Sequence, residues 1–99
     1  MRQYIDEHLA DTVTLRDLST VAGLSDCHFS RAFKLTVGIP PLRFVMTRRI
    51  IEATALLLQT DRRISDISQD VGFADQSHFT RCFVAIMRQT PRSLRRNSR

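Results

Sequence analysis

Ninety-nine residues make one modest domain, long enough to bury a single core but not two independent ones. The net charge of +5 (15 Lys and Arg against 10 Asp and Glu) and an apolar content of 42% are ordinary for a globular chain. No apolar run approaches the ~20 residues that span a bilayer, and the opening MRQYIDEHLADT is amphipathic and carries acids, which excludes a signal peptide and points to a cytoplasmic protein.

Gln3 to Ala10 reads as a short helix with Tyr4, Ile5 and Leu9 on one side, and Asp11 to Val13 as a connection. Thr14 is a good N-cap, with Asp17 three residues on in capping-box position. The helix it opens, Leu15 to Ala22, turns Leu15, Leu18, Val21 and Ala22 inward. Gly23 ends that helix as a residue able to take positive φ, and Leu24 follows as an apolar plug. Ser25 then caps a helix running to about Val37, which Gly38 closes before Pro40-Pro41 enforces a break.

Pro41 to Gln59 has no Gly and no internal Pro, and reads as one long helix. Its apolar residues fall on two stripes: Leu42, Val45, Met46, Ile50, Ala53, Leu56 and Leu57 on a broad one, and Phe44, Ile51, Ala55 and Leu58 roughly opposite. A surface helix normally has one apolar face, so two predict a helix gripped from both sides. Thr60 to Arg63 connects to a helix over Ile64 to Val71 with Ile64, Ile67 and Val71 inward; Gly72 ends it and Phe73 is the plug. A last helix is expected from about Asp75 to Met87, with a turn before Pro91 and a frayed basic tail over 92–99.

The tail concentrates the charge. From Arg88 to Arg99 there are five Arg and no acid, which leaves a neutral body, so the tail is either a solvated end or a phosphate-binding arm. Metal, cofactor and disulfide are not expected: Cys27 and Cys82 belong to no CxxC pair, and His8, His28 and His78 show no ligand spacing. Catalysis is not expected either, because a general base needs a shared pocket and a partner nucleophile.

Two passages of the chain are one text written twice. LRDLSTVAGLSDCHFSRAF matches ISDISQDVGFADQSHFTRCF, with one extra residue in the second copy. Leu15, Asp17, Leu18, Ser19, Gly23 and Asp26 correspond to Ile64, Asp66, Ile67, Ser68, Gly72 and Asp75; His28, Phe29, Arg31 and Phe33 correspond to His78, Phe79, Arg81 and Phe83; Pro41 and Pro91 agree as well. Short helix, Gly turn and longer helix is the helix-turn-helix spacing, in which the second helix can enter a major groove while the first braces it.

In the first unit Phe29, Ala32 and Phe33 recur at helical spacing as core, which leaves Cys27, Ser30, Arg31 and Lys34 outside. In the second, Phe79, Cys82, Phe83 and Ile86 are core and Gln76, Ser77, Thr80 and Arg81 are outside. Arg pairs with guanine, Gln with adenine, and Ser or Thr with a base or a phosphate. His28 and His78 sit at matching positions, for phosphate contact or for packing and capping. Arg49 falls inside the broad apolar stripe, which predicts a buried structural Arg paired with a carboxylate (Asp17 and Asp66 are candidates) or with helix C-terminal carbonyls, DNA contact being the minor reading. Arg48 lies on a polar gap, solvated or facing phosphate.

These residues resemble the DNA-binding domain of the AraC/XylS family of bacterial transcription regulators. The match runs from Tyr4-Ile5 and His8 through GLSDCHFSRAFK, Gly38 to Pro41, Arg49-Ile50, Ala53, Leu56-Leu57 and GFADQSHFTRCF to Thr90-Pro91. The resemblance implies an all-α fold of two helix-turn-helix lobes, 1–38 and 60–91, joined by a linker helix over 41–59. Each second helix would enter a major groove of double-stranded DNA, reading bases with Cys27, Ser30 and Arg31 in one lobe and Gln76, Ser77, Thr80 and Arg81 in the other. Phosphate contacts are expected at Ser25, His28, Lys34, Asp75, His78, Arg48 and Arg92, and structural roles at Gly23, Gly72 and Arg49. RNA polymerase is a further expected partner, and most family members carry a second domain for an effector or dimerisation, so the chain reads as a stand-alone regulator or an excised terminal domain. Arg88 stands where the family has Gly and Val84 where Lys is usual; Cys27 is small for its position, so the first lobe is expected to read fewer bases; Ser19 and Ser68 replace small apolar residues. The opposing reading is a helical protein-interaction module whose Arg-rich tail binds polyanions.

Overall fold

The computed structural model describes residues 14–98, and the helix expected over Gln3–Ala10 lies outside them. Helices are the only regular elements among the described residues: α1 (Leu15–Ala22), α2 (Asp26–Val37), α3 (Pro41–Gln59), α4 (Ile64–Asp70), α5 (Gln76–Met87) and α6 (Pro91–Asn97). They form an elongated body of 45 × 22 × 21 Å.

Local chemistry starts and stops these helices largely as the sequence predicts. The Thr14 backbone N–H donates to Asp17 Oδ2 at 3.0 Å, and the Asp17 N–H donates to Thr14 Oγ1 at 3.1 Å, a complete capping box. Both helix-turn-helix turns carry one pair of hydrogen bonds. The N–H of Leu24 donates to Ser19 O and that of Gly23 to Thr20 O, and Phe73 and Gly72 repeat this with Ser68 O and Gln69 O. The left-handed backbone that closes each turn (φ 73° at Gly23, 101° at Gly72) is one that only glycine takes without strain.

Two cores result, and α3 serves both. Leu18, Phe29, Phe33 and Val45 form the first, with Leu15, Leu24 and Phe44 packed around it. Ile50, Ala53, Leu57, Ile67, Val71, Phe73, Phe79 and Phe83 form the second, joined by Met46, Leu56, Ile64, Cys82, Met87 and Leu94. The repeat extends to ring geometry: Phe29 and Phe33 stack at 5.6 Å and 53°, Phe79 and Phe83 at 5.7 Å and 53°. The second core adds Phe73 against Phe79 at 5.3 Å, and the first takes Phe44 of α3 against Phe33 at 5.5 Å.

Several expectations need correction. The long helix is not sandwiched between two faces along its length. Its first turns, with Phe44 and Val45, close one core, and the turns from Met46 onward close the other, so the lobes share it end to end. Ile51 and Leu58, from the proposed second stripe, are half exposed, as is Leu42. Val21 and Ala22 are exposed too, because the buried face of α1 centres on Leu18 and Ser19. Ile86 lies at the rim while Met87 packs inward, since the end of α5 runs past the core.

The largest correction concerns the basic tail. Residues 91–97 are a docked helix, with Pro91 buried at its first position and Leu94 against the second core. Arg95 fastens it. Its Nε donates to Leu57 O at 3.1 Å, Nη1 to Arg62 O at 2.6 Å and Nη2 to Thr60 O at 3.1 Å. One planar guanidinium thereby satisfies carbonyls at and beyond the C-terminal end of α3, where a cation also complements the helix dipole.

Arg49 is buried, with its guanidinium 5.9 Å from the centre of the Phe73 ring, and desolvation lowers its pKa. Asp17, one of its proposed partners, is engaged in the capping box. Ser19 and Ser68 are both buried, and their hydroxyls donate to the carbonyls of Arg16 and Ser65. Ser19 also donates to Asp26.

The two helices that end the units differ in one strained residue. Gly38 takes φ 97° and donates to Lys34 O, whereas Arg88 takes φ 63° and donates to Val84 O. A side chain in that region costs about 1 kcal/mol. Arg88→Gly is expected to raise the unfolding free energy by roughly 0.5–1 kcal/mol, the relief of strain being partly offset by a looser unfolded chain. Urea denaturation checks this, and an unchanged or lower midpoint would count against strain at Arg88. Arg95→Ala is expected to cost about 2 kcal/mol, and Arg95→Lys to restore little, because an ammonium lacks the planar fork that reaches several carbonyls.

Candidate nucleic-acid interface

The N-termini of α2 and α5 show how the repeat is registered in space. The Ser25 hydroxyl accepts the His28 N–H at 3.2 Å, and Asp75 Oδ1 accepts the His78 N–H at 2.7 Å. Ser25 and Asp75 are therefore the equivalent caps. The pairing of Asp26 with Asp75 read from the sequence is off by one, and the extra residue of the second copy lies in the turn before Asp75. In space Asp26 matches Gln76, Cys27 matches Ser77, Ser30 matches Thr80 and Arg31 matches Arg81.

This register makes the two outward faces unequal. On α5, Gln76, Ser77 and Arg81 are exposed and Thr80 is half-buried, and the four line one shallow hollow. Each offers a hydrogen-bonding group. On α2, Cys27 and Arg31 are exposed and Ser30 is half-buried, but the position matching Gln76 is held by Asp26. The Asp26 carboxylate accepts from Ser19 and pairs with Arg16 at 3.6 Å, so it braces α2 on α1. Leu35, one turn beyond Arg31, is 87% exposed and lines a hollow with Arg31, Lys34 and Gly38. Sequence reading passed over Leu35, although an apolar residue one turn after Arg31 is itself a signal, since apolar side chains suit a thymine methyl.

The expected phosphate-contacting residues separate into distinct environments. Lys34 and Arg92 are exposed, and Arg48 is half-buried on α3. His28 is exposed, whereas the His78 ring packs edge-on against Phe73 at 5.3 Å, so two residues of matching sequence position differ in surroundings. Ser25 and Asp75 hold the first free N–H groups of their helices, and a carboxylate at the Asp75 position opposes an incoming phosphate. Gly23 and Gly72 form the turns, and Arg49 sits in the core behind Phe73.

Beside α5 the outward face continues without a break. Gln76 and Thr80 join Ile64, Thr90, Pro91 and Arg92 around a second hollow, and Gln76 with Arg92 joins Arg63 and Arg96 around a third. The match of Pro91 to Pro41 was the available clue that this region is helical, because Pro41 opens a helix in the first copy.

Comparison with known proteins agrees with this geometry. A family model described as a helix-turn-helix domain matches residues 18–97, which include nearly all of both units. The regulatory protein PocR of Salmonella typhimurium is 34% identical over 93 residues, 94% of this chain and 31% of PocR. The crystal structure of a transcriptional regulator from Chromobacterium violaceum, described as containing an AraC-type DNA-binding domain, superposes with a TM-score of 0.88 at 25% identity, covering 97% of this chain and 86% of that one. The DNA-binding domain of AdpA, solved with a target DNA, gives a TM-score of 0.92 at 24% identity over 96% of this chain and 86% of that one, a likeness of fold. The chain spans about a third or less of the length of the curated relatives it matches first.

The two thiols provide a direct check on the faces. Cys27 is exposed, whereas Cys82 is partly buried against the second core, and desolvation raises its pKa more than neighbouring Arg81 lowers it. Alkylation by a maleimide at pH 8 should modify Cys27 several-fold faster than Cys82. Equal rates, followed by peptide mass spectrometry, would contradict the assignment of Cys82 to the inner face.

Proposed function

The chain belongs to the AraC-type helix-turn-helix family and is a DNA-binding regulatory domain; from that premise we propose that it reads two successive major-groove segments of one duplex, with α2 and α5 as its recognition helices. The observation that carries this reading is the pair of equivalent helices, each held by its own Gly turn and core, with hydrogen-bonding side chains on the face turned away from α3. Family and fold are those of transcription regulators, not enzymes.

The two heads have different weights. The α5 head reads with Gln76, Ser77, Thr80 and Arg81, where Arg81 suits guanine and Gln76 suits adenine. The α2 head reads with Cys27, Ser30 and Arg31 and has no counterpart of Gln76, because Asp26 braces α1. Sequence preference therefore resides mainly in the half-site under α5. Lys34, His28, Arg48 and Arg92 contact phosphates, while Ser25, Asp75 and His78 set the entry of the two helices. The protein works in the cytoplasm, and RNA polymerase and an effector or dimerisation domain of a longer regulator are its further partners.

The spacing of the heads supports the same reading. Nineteen residues of α3 extend about 28 Å, a little short of the ~34 Å between successive major grooves on one face. A rigid α3 then calls for a modest bend in the DNA. Against the rival reading, in which the tail is a loose polyanion-binding arm, residues 91–97 form a docked helix whose Arg95 is bonded to the protein itself.

Selection from a randomised duplex pool at several salt concentrations tests the proposal. A two-part consensus is expected, and a pool that retains no preferred sequence would refute specific reading. Arg81→Ala should cost roughly 1–3 kcal/mol on the selected site and relax preference at one base pair.

A further inference from the structure

Three arginines from two separate parts of the chain, Arg63, Arg92 and Arg96, line one open hollow beside the N-terminal end of α5. Its other lining residues are Ile64, Ser65, Gln76 and Arg95, and no carboxylate is among them. Arg63, Arg92 and Arg96 are all exposed to solvent. Neighbouring Arg62 is paired with Asp70, and Arg95 is bonded to backbone carbonyls. Structural tasks thus account for two arginines of this region and leave three others lining one space.

The backbone positions of the three are set by the packing around them. Arg92 and Arg96 are four residues apart on α6, so they share a face. Arg95 ties that helix to the end of α3, and Arg63 stands immediately before α4. Gln76 lines this hollow, the adjoining one with Thr80 and Arg92, and the reading hollow with Ser77, Thr80 and Arg81. A strand whose base edge meets Gln76 therefore has the arginine hollow alongside its next phosphates, which follow one another at about 3.4 Å of helix rise.

We infer that Arg63, Arg92 and Arg96 form a clamp for backbone phosphates of the bound duplex, extending the footprint of the α5 head beyond the base pairs it reads. The inference rests on the DNA reading proposed above and adds Arg63 and Arg96 to the phosphate contact already given there to Arg92. Its ligand is the phosphodiester, and its task is to fix the register of α5 on the groove. Base choice stays with the reading face.

The test is a fluorescence titration of the selected duplex over a series of KCl concentrations, with wild type and with the triple variant Arg63→Ala, Arg92→Ala, Arg96→Ala, whose helicity is checked by circular dichroism. The triple variant should flatten the slope of log affinity against log salt by about 0.9 for each phosphate it no longer neutralises. Affinity should fall by one common factor for all sequences, with the base preferences retained. Trimming the duplex just beyond the segment under α5 should flatten the wild-type slope similarly and change the triple variant little. A folded triple variant with the wild-type slope, or a flattening that is the same on full and trimmed duplexes, would overturn the clamp. A wild type that selects no sequence would overturn the DNA reading itself, which separates the two failures. If the triple variant does not fold, Arg63→Gln and Arg96→Gln taken singly give the same readout, each expected to flatten the slope by about 0.9, and wild-type slopes in both would overturn the clamp.

Discussion

Neither helix-turn-helix pair of this protein has enough apolar surface to close a core by itself, and α3 completes both. Val45 and Phe44 seal the first lobe, and Ile50, Ala53 and Leu57 seal the second. A helix pair of this size buries too little area to offset the entropy of ordering it, so a shared third element is a condition of folding. Sharing has a mechanical consequence. Two lobes packed on one continuous helix keep their separation and orientation, and a pair of reading heads needs both to be constant.

The end of α3 then becomes the point where the second lobe is secured. Its last turn carries no basic residue, and its N-terminal cap, Pro40, makes no side-chain hydrogen bond. Arg95 supplies from α6 what α3 lacks, bonding carbonyls at Leu57, Thr60 and Arg62. Desolvated carbonyls without partners are costly, so the docking of α6 and the termination of α3 are one event. The first lobe has no counterpart of this arginine among the described residues, since its second helix ends at Gly38 and runs into α3 itself.

Much of this was legible in the sequence because it depends on short-range chemistry. The Thr14 capping box, the two Gly turns, the break at Pro40-Pro41 and the period of Phe29, Phe33, Phe79 and Phe83 each involve residues within a few positions of one another. The inner and outer faces of α2 and α5 followed from that period, apart from Ile86 at the rim and the half-buried Ser30 and Thr80. What escaped depends on distance or on ends. The bonds that order residues 91–97 join Arg95 to carbonyls 33 to 38 positions away, which no local pattern records. The second stripe of α3 looked complete on a helical projection, which shows angle but not height, and the lobes meet α3 at different heights. The slip between Asp26 and Asp75 arose because an alignment rewards identical letters, whereas the fold aligns the groups that cap a helix, and a Ser and an Asp can do the same work.

That equivalence also explains how a duplicated unit becomes asymmetric without losing its frame. In the first copy Ser25 caps, and the next residue, Asp26, is free to brace Ser19 and Arg16. In the second copy Asp75 caps, so the next position falls to Gln76, which faces outward with no such task. The same place on the helix thus holds an inward-bonded acid in one copy and an outward amide in the other. The helix axes and the core phenylalanines stay in register while the outer faces diverge. The groups that set helix entry, Ser25 and Asp75, are thus adjacent in sequence to positions whose side chains differ freely between the copies.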